Sequence, residues 1–195
     1  MRIIITGALG HIGSRVIREL PKIFPQSEII MIDNLLTQRY SSLFNLPKAG
    51  NYQFYEEDIL TADLKSIFKG SDVALHLAAI TDATSSFQNR VQVETSNYEG
   101  TVKVAEACRE VSCPMIHLSS TSIYGTQKEL VNEDCSSEDL NPQSPYAETK
   151  LKEENFLRSF GSDGALQFSI FRFGTICGTS PGMRFNTAVN KFCWQ

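Results

Sequence analysis

The sequence has 195 residues, 42% of them hydrophobic, which suits one domain with a buried core. Its net charge of −4, with no basic cluster on any segment, excludes the electrostatic footprint of a nucleic-acid binder. The apolar start before Gly7 is too short for a signal-peptide core, and no apolar run approaches a membrane span. A soluble cytoplasmic protein is therefore expected.

In chain order, "RIIITG" (2–7) is β-branched and reads as a first strand, with "HIGSRVIREL" (11–20) as the helix behind it. The turn between them is Thr6-Gly7-Ala8-Leu9-Gly10-His11-Ile12-Gly13, with glycines spaced G-x-x-G-x-x-G. Glycines there let the backbone turn tightly and approach a pyrophosphate, whose charge sits against free N–H groups at the helix start. Three glycines are equally compatible with a tight strand–helix packing contact. The second strand, "EIIMID" (28–33), adds context because it ends on Asp33, 20 residues after Gly13. A carboxylate there accepts both ribose hydroxyls and repels a 2′-phosphate, which favours NAD over NADP. Alone, Asp33 reads equally as a helix cap in "DNLL".

The third strand is "YQFYEED" (52–58) and the fourth "DVALHLAA" (72–79), followed by a long helical pattern over 91–110. "PMIHLSS" (114–120) is a fifth strand, 127–144 a long polar connection, 146–160 a helix and "LQFSIFRF" (166–173) a sixth strand. Strands separated regularly by helices imply a parallel sheet covered on both faces. The polar connection is of a length that tends to carry function. The five cysteines are odd in number and scattered without Cys-x-x-Cys, so reduced thiols are expected. His11, His76 and His117 have no ligand spacing, so no metal site is expected.

Two Tyr-x-x-x-Lys pairs occur, Tyr124–Lys128 and Tyr146–Lys150. Residues i and i+4 share a helix face, so on a helix the amine reaches toward the phenol. Pro145 suits the first turn of a helix and selects the second pair, whereas Gly125 directly after Tyr124 argues against a helix there. A free phenol titrates near pH 10; a neighbouring ammonium favours the phenolate and creates a base for neutral pH. The other reading of the pair is a solvated helix face.

"TGALGHIG", "EEDIL", "HLAA", "SSTSIYG" and "YAETK" come in one order, and with them the sequence resembles the extended short-chain dehydrogenase/reductases. Within these it is most similar to the NAD-dependent epimerase/dehydratase group acting on nucleotide sugars. The resemblance covers essentially the whole chain and implies an α/β, Rossmann-type doubly wound parallel sheet. It implies that residues 1–195 form the NAD-binding domain with the catalytic residues.

It further implies that Gly7, Gly10 and Gly13 line the pyrophosphate, with His11 and Ile12 offering backbone groups, and that Asp33 holds the adenosine ribose. Asp58 and Ile59 then sit at the adenine edge, and Leu77, Ala78 and Ala79 form the wall beside the cofactor. Asn97 ties the central helix to the sheet near the site. Ser120, Tyr146 and Lys150 match the catalytic residues, Tyr146 and Lys150 also touching the nicotinamide ribose.

The family's dehydratases carry an Asp-Glu pair after the catalytic serine, where this chain has Thr121 and Ser122. Hydroxyls cannot do strong acid/base work at neutral pH, so epimerisation or simple dehydrogenation is expected instead of elimination. Thr175 stands where many sugar-nucleotide epimerases have an asparagine, and Cys177 where an aromatic is common. Arg184 is a candidate partner for a phosphate or a sugar carboxylate, or else a surface arginine.

Family members usually run on for more residues, which here leaves the C-terminal substrate lobe largely missing. They often dimerise through helices corresponding to 91–110 and 146–160, so a homodimer is expected. The leading expectation is an NAD-dependent nucleotide-sugar epimerase or related dehydrogenase working through a transient 4-keto sugar. A non-catalytic NAD-binding module and a reductase of a non-sugar ketone are the alternatives.

Overall fold

A computed structural model describes residues 1–81, 85–126, 130–185 and 187–195. Six parallel strands form one sheet in the order β3-β2-β1-β4-β5-β6. They are β1 (Arg2–Thr6), β2 (Glu28–Asp33), β3 (Asn51–Glu56), β4 (Val73–His76), β5 (Met115–Ser120) and β6 (Phe168–Phe173). The strand order reverses between β1 and β4, which opens a crevice beyond the carboxyl ends of those strands.

The helices are α1 (His11–Ile23), α2 (Leu64–Phe68), α3 (Arg90–Glu94), α4 (Gly100–Glu110), α5 (Pro145–Phe160) and α6 (Ala188–Trp194). Because both faces of the sheet are covered, β1 is apolar at consecutive positions. Ile3 and Ile5 pack with Ile29, Met31 and Ile17 of α1 on one face. Ile4 packs on the other with Ile30, Ile32, Val104 and Cys108 of α4, and Leu157 of α5. Fully burying such a side chain contributes about 1.5–3 kcal/mol, so both layers are needed to hold the central strands.

The helical pattern over 91–110 resolves into α3 and α4 joined by a wider, π-helical turn at Thr95–Glu99. The buried Asn97 sits on that turn and bonds the backbone of Ile80 on both sides, accepting from its N–H at 2.7 Å and donating to its carbonyl at 2.9 Å. Such turns recur at functional sites. The short α2 escapes the sequence pattern because it is too brief to show a period; Asp63 caps it by accepting from Ser66 N–H at 3.2 Å.

α5 starts where its residues dictate. Ser144 accepts from Ala147 N–H at 3.2 Å, Pro145 occupies the first turn, and Arg158 lies in the last. The long connection after β5 contains a single-turn helix, Ser137–Asp139, boxed by Ser136 and Asp139. Beyond β6 the chain crosses back over the start of α1 and ends in α6, where Phe192 and Trp194 are exposed.

Candidate active site

Two cavities, of about 500 and 680 Å³, open at the carboxyl ends of the strands. They share Gly7, Gly10, Arg39, Leu77, Ala79, Thr81 and Arg184, and so form adjoining chambers on either side of the glycine-rich turn. The smaller holds Ser120, Tyr146 and Lys150; the larger holds Asp33, Asp58 and Ile59.

The turn is built on close approach. Gly7 has φ +66°, and a Cβ there would lie 2.6 Å from the Ala78 nitrogen. At Gly13 a Cβ would lie 2.4 Å from the Gly7 carbonyl oxygen. Neither position accepts a side chain while the end of β4 and α1 both rest on the turn. Gly10 is the N-cap of α1 and brings no side-chain acceptor, so the first amides of the helix are left for a ligand. His11, Ile12 and Gly13 line the smaller chamber there.

Asp33 is half-buried at the end of β2, accepting from Leu9 N–H at 3.1 Å and Leu35 N–H at 3.0 Å. Asp58 is held by Asn34 Nδ2 at 2.9 Å and accepts from Leu60 N–H at 2.9 Å. Leu77, Ala78 and Ala79 line the larger chamber where β4 ends. Asn97 does not reach either cavity; its amide is spent on Ile80, whose neighbour Thr81 forms part of the wall.

Ser120 ends β5 and caps the single turn Thr121–Tyr124. Its Oγ accepts from Ser122 N–H at 3.1 Å and from Ser122 Oγ–H at 2.8 Å, which leaves the Ser120 proton to be donated into the cavity. Tyr146 and Lys150 project from the inner face of α5 into the same chamber. The Tyr146 hydroxyl has no hydrogen-bond partner among the described residues. Lys150 is only 4% exposed. Burial pulls its amine down, but Glu153 foremost, with Tyr146 and Glu154, outweighs this and holds it above the ordinary lysine value.

The competing pair divides. The hydroxyl of Tyr124 accepts from Arg172 Nη1 at 2.9 Å, and Tyr124 lines neither cavity. Lys128 lies outside the described residues. Thr121, Ser122 and Thr175 line the smaller chamber, whereas Arg184 lies between the two and donates to Thr81.

Two features escape a reading by motif. Arg39, six positions after Asp33, is half-buried on both chambers; burial and then the charge of Arg184 lower its pKa, against Asp33. An arginine shortly after the acidic end of β2 is the only signal for it. The second is the segment 178–185, which lies across the turn. Ser180 Oγ donates to the His11 carbonyl at 2.8 Å, and Gly182 N–H donates to Ser14 Oγ at 2.9 Å. His11 Nε2 lies 3.0 Å from the Gly178 carbonyl, which completes the seam. No group of three or more His, Cys, Asp or Glu among the described residues could hold a metal ion. No helix among them is long and apolar enough to cross a membrane.

The uncharacterised UDP-glucose epimerase YtcB of Bacillus subtilis is 34% identical over 204 residues, covering 100% of this chain and 63% of the relative. A UDP-glucuronate 4-epimerase of Thermodesulfobacterium geofontis is 31% identical, covering 97% of this chain and 59% of the relative. The chain thus spans about three fifths of the length of these two relatives. The crystal structure of UDP-glucuronic acid 4-epimerase from Bacillus cereus, in complex with UDP-glucuronic acid and NAD, superposes with a TM-score of 0.88. It is 31% identical, over 97% of this chain and 61% of that one. A model of the NAD dependent epimerase/dehydratase family matches residues 3–193, and the chain belongs to that family.

Proposed function

We propose that residues 1–195 are the dinucleotide-binding and catalytic part of an NAD-dependent epimerase acting on a nucleotide-diphosphate sugar through a transient 4-keto intermediate. The observation that carries this reading is the common chamber of Ser120, Tyr146 and Lys150 beside a turn too tight for any Cβ at Gly7 or Gly13.

The residues present fit a dinucleotide. Gly7, Gly10 and the start of α1 would hold the pyrophosphate, and Asp33 the adenosine ribose, at a helix start that no side chain caps. Asp58 and Ile59 would border the adenine, and Leu77, Ala78 and Ala79 the cofactor's flank. When bound, the nicotinamide supplies a reversible acceptor of hydride.

Tyr146 takes the proton of the sugar's 4-hydroxyl as that carbon is oxidised and returns it when the carbon is reduced from its other face. The Lys150 cation stabilises the phenolate that this requires. Ser120 donates to the same oxygen, its lone pairs being engaged by Ser122. With Thr121 and Ser122 after it there is no carboxyl group to expel water, so the sugar keeps its hydroxyls. Thr121, Ser122 and Thr175 border the sugar, and Arg184 is placed to meet a phosphate or a carboxylate. A homodimer through α4 and α5 belongs to the same reading.

Incubating the protein with NAD and a panel of UDP-, GDP- and dTDP-sugars tests it. Epimer formation with at least one sugar is expected. Tight NAD binding without turnover across the panel would instead favour a non-catalytic dinucleotide-binding module, and NADH-dependent reduction of a simple ketone a reductase.

A further inference from the structure

Beneath the smaller chamber lies a buried polar row that the catalytic reading does not use. The sheet register places Thr6 beside His76 and His76 beside His117, all on the face covered by α4 and α5. Thr6 Oγ1 and His76 Nδ1 are 2.8 Å apart, and His76 Nε2 is 3.1 Å from Thr101 Oγ1 of α4. Thr101 donates to Glu153 Oε2 of α5 at 3.2 Å. Lys150 Nζ donates to the same oxygen at 2.9 Å, and His117 Nε2 lies 3.0 Å from it, off the direction of a good hydrogen bond. Glu153 is 0% exposed.

An ammonium in such surroundings is unstable alone, because burial favours the neutral amine. A neutral amine would do little for the neighbouring phenol. The second carboxylate near Lys150, Glu154, is committed to Arg172 at 2.7 and 3.0 Å. His76 and His117, the titratable groups facing Lys150 from β4 and β5, are both held neutral by burial and offer no negative charge. That leaves Glu153.

We propose that Glu153 is a positioning residue of the active site. Its carboxylate, fixed from α4 by Thr101 and packed against His117 of β5, keeps the Lys150 amine protonated and aimed along the inner face of α5 beside Tyr146. The proposal rests on the catalytic reading of Tyr146 and Lys150 and adds what maintains it. The spacing supports it: Tyr146, Lys150 and Glu153 follow at i, i+4 and i+7, one stripe of a helix. The electrostatics agree. Burial pushes the Glu153 carboxyl up, but the Lys150 charge foremost outweighs it and the carboxyl is held down at about 2.

The test is a pH titration of the Lys150 ammonium by NMR of ¹³Cε-lysine-labelled, NAD-bound protein, with the Lys150 signal assigned through Lys150→Arg. In Glu153→Gln the Lys150 midpoint should fall by at least about one pH unit. The alkaline limb of kcat should move down with it while KM changes little. Glu153→Asp keeps the charge, so its midpoint should lie between the two; it also serves as the variant should Glu153→Gln fold poorly. A Lys150 midpoint unmoved in either variant overturns the proposal, because loss of stability alone shifts no side-chain titration. The NMR signal reports on Lys150 whether or not the protein turns over. Retained activity in Tyr146→Phe would therefore remove the catalytic reading and leave this measurement standing.

Discussion

Arg172 donates to the Tyr124 hydroxyl at 2.9 Å while its other nitrogens grip Glu154, so Tyr124 is an acceptor inside the fold. Its guanidinium also lies over the Tyr124 ring, 5.1 Å from the centroid. Both tyrosines stand four residues before a lysine, and this contact distinguishes their surroundings. Tyr124→Phe should cost about 1.5–3 kcal/mol of stability, the range for a hydrogen bond to a charged group, and leave turnover within a few-fold of normal. Tyr146→Phe should lower kcat by about 10²–10⁴-fold with NAD affinity retained. Urea unfolding and steady-state kinetics on both variants check this, and the reverse pattern would exchange the assignments.

Ser122 donates its hydroxyl proton to Ser120, which turns the Ser120 proton toward the cavity. Ser120→Ala should lower kcat by about 10²-fold, as for loss of one donor to a developing oxyanion. Ser122→Ala should reduce kcat less, because the Ser122 N–H still holds the Ser120 oxygen. Equal losses in the two variants would point to a direct role for Ser122 on the substrate.

Gly13→Ala places a methyl 2.4 Å from the Gly7 carbonyl oxygen, against backbone that cannot yield without moving the turn. A loss of at least about 1–3 kcal/mol is expected, together with weakened NAD binding. Gly10→Ala meets its nearest neighbour only at 3.3 Å and should be milder on both counts. Denaturation and NAD titration of the pair measure the contrast.

The Asp33 carboxylate holds the turn and the loop after β2 together while bordering the larger chamber. Wild-type protein should bind NADP at least about tenfold more weakly than NAD, and Asp33→Asn should narrow that gap by removing the charge. Fluorescence titration with each dinucleotide decides, and tighter binding of NADP by the wild type contradicts the role given to Asp33.

His76 and His117 are buried, and burial first of all lowers both from the ordinary 6.5. Below pH 6.5 the unfolded chain therefore takes up protons that the folded chain refuses, and stability falls as pH falls. Each histidine contributes up to about 1.4 kcal/mol per pH unit in that window. Glu153 adds to the loss between its ordinary 4.5 and its folded value of about 2, where only the unfolded chain is protonated. Urea midpoints measured from pH 8 to 4 should be level above about pH 7 and decline below; a level profile throughout contradicts the buried neutral histidines.

Much of this molecule is legible in the chain because local chemistry and global fold agree. The β-branched runs, the helix start at Ser144-Pro145 and the glycine spacing before α1 each have a short-range cause, so strands, α5 and the turn fall within a few residues of their places. The widened turn at Thr95–Glu99 had no such cause, since it depends on Asn97 meeting Ile80, 17 residues away.

By itself, the sequence determined the parallel α/β architecture, the glycine-rich turn and the pairing of Tyr146 with Lys150, because each is encoded by neighbours within a helical turn or a strand. Tertiary structure alone decided that Tyr124 is spent on Arg172, that Arg39 and Arg184 border both chambers, and that Glu153 lies against Lys150 above the Thr6–His76–His117 row. Those relations join residues from different strands and helices, and only the sheet's register and the docking of α4 and α5 bring them within reach.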